Sequence, residues 1–251
     1  MAGVVHRAGE GEAVFGGRIL IKAAFEQLCI TDSRFDNARP GAGPHLHRRH
    51  ADSFYVLEGG LAVLVQDEEH KLGPGACACA PAGVVHGFRS TSPARFLNFH
   101  TPDGGFADNL RELDQGEPGG FDSFDAPVGT GLPGSNAILL QAGEGERLEG
   151  DNRVATIKIG RDDLSLIEFE LEPGFEGPEP HSHDDQVDSF YVLEGEAEFL
   201  LDGERLLLGA GSFVAAPPEV VHTFSGGPGR SRLLNIHAPS SGFYEWLREN
   251  S

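Results

Sequence analysis

Hydrophobic and polar positions alternate along short stretches of this chain, which is the pattern of β-strands with one buried face. Residues 18–22 and 27–30 follow this pattern, and residues 54–65 predict a strand, a glycine turn and a second strand. A closing strand is predicted over 95–100. Helical spacing follows it in residues 106–113, where large apolar side chains recur at i, i+4 and i+7. The pattern therefore predicts an all-β fold with a short helix after its last strand.

The second half of the chain repeats this order of elements. The segment Asp-Ser-Phe-Tyr-Val-Leu-Glu-Gly occurs at 52–59 and again at 188–195. Residues 241–248 repeat the pattern of the predicted short helix. Two domains of ordinary size are therefore expected rather than one large one.

The predicted domain boundaries follow from this repeat and from a change of composition between the halves. Residues 115–136 are rich in Gly, Pro and Asp and show no sustained periodicity, which indicates a linker or an ordered crossover. The predicted domains are residues 1–114 and 137–251.

Composition and charge narrow the class of protein. The 35 glycines and 16 prolines favour many short strands and turns over long helices. No apolar run approaches the roughly 20 residues of a membrane helix, and the first residues lack the charged and apolar regions of a signal peptide. We therefore expect a cytoplasmic protein without a membrane partner. A formal charge of −20 disfavours binding to nucleic acid.

The three cysteines do not indicate a disulfide framework. Cys77 and Cys79 alternate along a predicted strand and share a face, where neighbours do not bridge easily. We interpret them as small buried strand residues, with thiol ligands as the alternative.

Candidate chemistry lies in a histidine pattern that occurs once in each half. His45 and His47 precede Asp52, and His86 follows downstream. Each has a counterpart 136 residues later, in the set His181, His183, Asp188 and His222. Imidazoles and a carboxylate at fixed spacing are suited to a divalent metal, so these residues predict one metal site per half. The alternative for the two aspartates is that each orients a histidine ligand without binding the metal itself.

Aromatic residues accompany each predicted metal site. Strand alternation places Phe54 on the same face as Asp52, and Phe88 on the same face as His86. Phe190 and Phe224 hold the matching positions in the second half. If these faces line the interior of a barrel, each metal lies in an aromatic-walled pocket, with coordination positions left open for a substrate.

The chain resembles the cupins, and in particular the bicupins, which carry two cupin modules in tandem. The family's first motif is matched by His45, His47, the Asp52 position and Gly59. The matches to its second motif in this half are Gly75, Pro81, Gly83 and His86. In the second half the matches are His181, His183, the Asp188 position, Gly195, Gly211, Pro217 and His222. The resemblance covers residues 15–240 and implies two double-stranded β-helix (jelly-roll) barrels.

The sequence departs from the family's pattern at three kinds of position. The glutamate of the first motif is aspartate in both halves, one methylene shorter. Glu219 replaces the glycine of the second motif in the second half, and Ser90 and Gly226 replace its asparagine. These departures weaken any transfer of one particular activity.

Three functions remain open at this point. The resemblance implies first a dioxygenase-type oxidoreductase that acts on a small enolisable or aromatic substrate, with Asp52 and Asp188 as candidate catalytic bases. The second is a non-redox isomerase, decarboxylase or aminohydrolase, and the third is a small-molecule binding or storage protein. The expected cofactor is one divalent Fe, Mn, Ni, Cu, Co or Zn ion per domain. Either a monomer or a homodimer is compatible with the resemblance.

Overall fold

The computed structural model describes residues 2–126 and 136–250, whose regular structure is almost entirely β-strand. Within these residues the chain forms two short helices, one after the strand Ala94–Thr101 and the other after the strand Ser231–Ala238. The predicted all-β class with short C-terminal helices is confirmed. Neither helix is long and apolar enough to cross a bilayer.

The elements are numbered in chain order. The strands up to the first helix are β1 (Val4–His6), β2 (Glu12–Val14), β3 (Ile19–Phe25), β4 (Leu28–Phe35), β5 (Arg39–Pro40), β6 (His45–Leu46), β7 (Ala51–Glu58), β8 (Leu61–Val65), β9 (Glu68–Leu72), β10 (Cys77–Ala80), β11 (His86–Ser90) and β12 (Ala94–Thr101). Helix α1 (Phe106–Asp114) follows, and then β13 (Phe124–Asp125), β14 (Ile138–Leu140), β15 (Glu146–Gly150), β16 (Arg153–Gly160), β17 (Ser165–Leu171), β18 (Val187–Glu194), β19 (Glu196–Leu201), β20 (Glu204–Gly209), β21 (Phe213–Ala216), β22 (His222–Gly226), β23 (Ser231–Ala238) and α2 (Phe243–Glu249).

The chain divides into two compact units, which we call the N-terminal barrel (Glu12–Glu144) and the C-terminal barrel (Met1–Gly11 with Gly145–Ser251). The N-terminal barrel has a seven-stranded sheet in the order β14-β10-β7-β12-β4-β3-β2. Its second sheet has the order β13-β6-β11-β8-β9, with β5 beside β11. The C-terminal barrel has the sheets β1-β21-β18-β23-β17-β16-β15 and β20-β19-β22. Apolar side chains from both sheets of a barrel form its core.

The first strand of each half lies in the sheet of the other half's barrel. Strand β1 pairs with β21, with Val5 opposite Val214, and β14 pairs with β10, with Leu139 opposite Ala78. The structural division therefore falls at residues 11/12 and 144/145, and not at the predicted boundaries of 1–114 and 137–251. Of the predicted linker 115–136, residues 127–135 lie outside the described residues.

Buried ion pairs link neighbouring strands of each seven-stranded sheet. In the C-terminal barrel the Lys158 side chain is fully buried, and its Nζ lies 3.6 Å from Glu168 Oε1. Arg232 Nη2 lies 3.0 Å from the other oxygen of Glu168. The N-terminal barrel has the equivalent pair between Arg95 and Asp32 at 2.7 Å. Charges in such positions depend on their partners, because desolvation is costly.

The cysteines are buried strand residues, as the main interpretation of the sequence has it. All three are buried and none forms a disulfide. In the described part of the chain, the groups of side chains with metal-binding geometry contain no cysteine.

Candidate metal centres

The four predicted ligands of the N-terminal barrel meet at one point. His45 lies in β6 and His47 directly after it, Asp52 is in β7, and His86 begins β11. The register places His86 directly opposite His45. One ligand atom from each of the four residues lies within 4.8 Å of the others. Three histidines and one carboxylate therefore converge as their spacing predicts.

The C-terminal barrel builds the same cluster from the repeated residues. His181 and His222 form an antiparallel bridge, with backbone N–O distances of 3.1 and 2.8 Å. His183 follows two residues later, and Asp188 extends from β18. The ligand atoms again lie within 4.8 Å of one another.

Backbone carbonyls orient most of the imidazole rings. In the N-terminal barrel Nδ1 faces the carbonyl oxygen of Gly43 for His45 (2.8 Å), of Asp122 for His47 (2.5 Å) and of Val84 for His86 (2.9 Å). In the C-terminal barrel the corresponding contacts are from His181 to Glu179 and from His222 to Val220, both 2.9 Å. A ring whose Nδ1–H donates to a carbonyl has a free lone pair on Nε2. Each of these rings therefore offers Nε2 as a donor to a metal.

The clusters fit a transition metal by two tests. The Nε2 atoms of His47 and His183 are buried and have no hydrogen-bond partner among the described residues, as a ligand atom would. At a metal–ligand distance of about 2.1 Å, ligands at right angles lie about 3.0 Å apart and opposite ligands about 4.2 Å apart.

The observed separations fall within this range. Asp52 Oδ2 lies 3.2 Å from His86 Nε2 and 3.9 Å from His47 Nε2. Asp188 Oδ2 lies 3.1 Å from His222 Nε2 and 4.0 Å from His183 Nε2. Each aspartate thus reaches its cluster although it is one methylene shorter than glutamate.

The electrostatics of the clusters favour ionised aspartates. Burial opposes ionisation of Asp52, but His100, His47 and His86 outweigh it and hold the pKa of its carboxyl well below the ordinary value. The pKa of Asp188 is lowered in the same way, against burial, by His237 and His222. Burial lowers the pKa of His183 to about 4, so this ring is neutral near pH 7. Neutral imidazole and charged carboxylate are the forms that bind metals.

An asparagine and a fourth histidine hold each aspartate, and sequence reasoning assigned them no role. Asn98 Nδ2 donates to Asp52 Oδ1 at 2.5 Å, and Asn235 Nδ2 donates to Asp188 Oδ1 at 2.7 Å. His100 Nε2 lies 3.6 Å from Asp52, while His237 Nε2 lies 2.9 Å from Asp188. The signal for these pairs is the repeated Asn-x-His in the closing strand, which strand pairing places opposite β7 and β18.

Each short helix fixes the fourth histidine of its barrel. Its first residue stacks on that ring, with centroids 3.7 Å apart for Phe106 and His100. For Phe243 and His237 the centroids are 4.0 Å apart. The helices are therefore part of the construction of the two sites.

The N-terminal cluster has a cover that sequence reasoning did not find. Asp122, within the predicted linker, is buried, and its carboxylate accepts hydrogen bonds from the backbone N–H groups of Arg48 and Arg49. Phe121 contacts the rings of His47 and His50. His50 lies in a loop, but it is only 1% exposed and stacks on His47. In the C-terminal barrel Gln186 occupies its position and faces His237 Nδ1 at 3.0 Å.

Replacing His50 by this counterpart predicts a change in acid stability. Burial and the neighbouring His47 lower the pKa of His50 to about 4. A histidine in the unfolded chain titrates at about pH 6.5. Between that pH and about pH 4 the unfolded chain binds a proton at this position and the folded chain does not, so the free energy of unfolding falls as the pH is lowered. We expect His50→Gln to remove this part of the loss.

The measurement is the urea midpoint of chelator-treated protein at about pH 7 and about pH 5, where the difference should be smaller for His50→Gln than for the wild type. His70→Gln changes a partly exposed histidine outside the clusters and serves as the control. Equal pH differences in the wild type and His50→Gln would contradict the prediction.

A cavity adjoins each cluster. That of the C-terminal barrel has a volume of about 880 Å³ and is lined by Phe190 and Phe224, beside His183 and Asp188. That of the N-terminal barrel measures about 510 Å³ and is lined by Phe88, beside residues of its own cluster.

Phe54 differs from the prediction that it lines the pocket. It is 1% exposed and packs on Phe88, with ring centroids 5.1 Å apart, and on Phe96. Phe88 lines the cavity and Phe54 is not among the residues that line it.

Comparison with known proteins agrees with this architecture. A family profile for the cupin domain matches residues 34–100 and 167–237. A quercetin 2,3-dioxygenase of Bacillus subtilis is 24% identical over an alignment 283 positions long, which covers 93% of this chain and 81% of that protein.

Solved structures show the same fold. A putative glyoxylate-induced protein from Pseudomonas aeruginosa superposes with a TM-score of 0.65 at 19% identity, covering 94% of this chain and 88% of its own. The oxalate decarboxylase of Bacillus subtilis, which has Mn(II) centres, gives a TM-score of 0.56 at 19% identity. That match covers 84% of this chain and 68% of the decarboxylase. Each half of the chain thus matches one cupin domain.

Proposed function

The chain belongs to the cupin family, with one cupin domain in each half, and from this premise we propose that it is a metal-dependent oxidoreductase of the dioxygenase type. One divalent transition metal would bind in each barrel, and the substrate would be a small enolisable or aromatic molecule. The observation that carries the proposal is the convergence of three histidines and one aspartate beside an aromatic-lined cavity.

The C-terminal barrel is the favoured place of reaction. The side chain of His183 is 18% exposed, whereas that of His47 is 1% exposed. The cavity beside His183 is also larger than the cavity beside the N-terminal cluster. A substrate therefore reaches the C-terminal cluster more easily than the N-terminal one.

Different residues of this cavity would bind the metal and contact the substrate. His181, His183 and His222 would hold the metal, which when bound supplies Lewis acidity and, for a redox-active ion, electron transfer to O₂. Phe190 and Phe224 offer apolar faces to a flat substrate. Trp246 lies at the same cavity and is 52% exposed, which places an aromatic surface on its solvent side.

Asp188 is the candidate catalytic residue of this site. Its carboxylate lines the cavity and is held by Asn235, so it is positioned to accept the hydroxyl proton of an enol or phenol. Loss of that proton would give the substrate oxygen the negative charge with which it binds a metal.

The test is O₂ consumption by protein loaded separately with each candidate metal. Quercetin, which the Bacillus subtilis relative's name specifies, is offered beside catechol and a β-diketone. We expect O₂ uptake with at least one of these substrates on a redox-active metal and none on zinc, which has no redox chemistry. Conversion of substrate without O₂ would contradict the dioxygenase proposal.

Asp188→Asn tests the assigned base. Because a positioned general base contributes roughly 10²–10⁴-fold, we expect kcat to fall by at least about 100-fold. The matched control is Asp184→Asn, which removes an exposed carboxylate four residues earlier and should leave kcat unchanged. Retained kcat in a metal-replete Asp188→Asn protein would remove Asp188 from the proposed mechanism.

A further inference from the structure

The N-terminal cavity contains polar atoms that no described residue satisfies. Arg39 Nε and Thr31 Oγ1 are buried without a hydrogen-bond partner, and both residues line this cavity. Thr31 is 1% exposed. Buried donors of this kind are costly unless a ligand or water pairs with them, so their presence indicates something polar that binds here.

The C-terminal barrel has apolar residues at the same places. Thr31 pairs with Asn98, whereas Ile167 pairs with Asn235. Arg39 pairs with β11 at Ser90, whereas the carbonyl of Phe175 accepts the backbone N–H of Gly226, the counterpart of Ser90.

A third position follows the same trend. Ser33 lines the N-terminal cavity, and Phe169 lines the C-terminal one at the equivalent place in the sheet. Threonine, serine and arginine thus stand where isoleucine and two phenylalanines stand in the other barrel. The two cavities are therefore built from equivalent strands, but the N-terminal cavity favours a more polar ligand than the C-terminal one.

Charge and shape specify the ligand of the N-terminal cavity. The Arg39 guanidinium lies over the Phe35 ring at 5.1 Å, which fixes its direction, and Arg18 also lines the cavity. The acidic residues at this cavity are Asp52, which is engaged by histidines and Asn98, and Asp125, which is exposed. A carboxylate matches a guanidinium, and the rings of Phe35 and Phe88 match an apolar body.

We propose that the N-terminal cavity binds a small carboxylate with an apolar or aromatic body, and that Arg39 pairs with its negative charge. Thr31 and Ser33 supply hydroxyl groups nearby. This binding goes beyond the proposed oxidative function and needs no turnover. Each barrel would accordingly accept a different molecule.

Calorimetric titration with benzoate tests the proposal on the full-length, zinc-loaded protein, in which no redox reaction interferes. Benzamide, which is neutral and of the same shape, is the companion probe. We expect Arg39→Gln to weaken benzoate binding by about tenfold to a hundredfold, the range for a hydrogen bond to a charged group, and to leave benzamide binding unchanged.

The matched control is Arg34→Gln, which removes the same charge from an exposed position on β4 that does not line this cavity. Its benzoate affinity should equal that of the wild type. If Arg39→Gln does not fold, Arg39→Lys is used instead. It keeps the positive charge but loses the planar guanidinium that donates two parallel hydrogen bonds to a carboxylate, so we expect several-fold weaker benzoate binding. Benzoate binding that is absent in the wild type, or equal in the wild type and the folded Arg39 variant, overturns the proposal.

Discussion

His183→Ala is expected to leave the C-terminal barrel without bound metal and to reduce O₂ consumption to background. The variant removes one of three imidazoles, and the Nε2 that it deletes is a buried donor with no other partner among the described residues. Loss of a group that merely supports a ligand costs about 10–100-fold in metal affinity, so loss of the ligand itself should cost more. Metal analysis should then find one bound ion per chain fewer than in the wild type.

The repeat provides a matched variant for this experiment. His47→Ala makes the identical change in the N-terminal barrel and should remove one metal ion as well, while O₂ consumption continues at the C-terminal cluster. His70→Ala, outside both clusters, should change neither quantity. Full metal content in His183→Ala would contradict the assigned ligands, and equal activity losses in His47→Ala and His183→Ala would contradict the assignment of the reaction to one barrel.

Glu168→Gln is expected to cause the largest loss of stability among the variants considered. Its carboxylate lies between the buried ammonium of Lys158 and the guanidinium of Arg232. Removing one partner of a buried ion pair leaves a desolvated charge and costs about 3–5 kcal/mol in free energy of unfolding. Urea denaturation should show this loss as a lower midpoint of the transition that involves the C-terminal barrel.

The same strand offers the control for this prediction. Glu170 pairs with Arg147 at 3.2 Å, and about half of each side chain is exposed. Exposed pairs contribute about 0–1 kcal/mol, so Glu170→Gln should shift the midpoint little. Similar midpoints for the two variants would mean that Lys158 does not depend on Glu168.

Much of the fold and the composition of the clusters could be predicted from the sequence. Strand alternation indicated an all-β fold, because one-sided burial imposes a period of two, and the repeat indicated two domains. That each domain is a barrel was implied by the resemblance to the cupins. The ligand-type residues, such as His45 and His86, were recognised by spacing, because neighbouring strands bring these positions together in register.

Features that depend on contacts distant in sequence could not be predicted. The carbonyl of Asp122 orients His47 from 75 residues away, within a segment without periodicity. Burial of His50 likewise depends on Phe121 and its neighbours, so a loop histidine gave no local signal. The polar lining at Thr31 and Arg39 is visible in the sequence, but only the structure places both residues at one cavity.

The exchange of β1 and β14 makes the order of biosynthesis a constraint on folding. Strand β1 needs β21, which leaves the ribosome about 200 residues later, on the order of 10–40 s at roughly 5–20 residues per second. Strand β14, in contrast, completes the N-terminal barrel soon after that barrel is made. The N-terminal barrel is thus able to complete its sheet before β21 is made, whereas β1 cannot join the sheet of the C-terminal barrel until then.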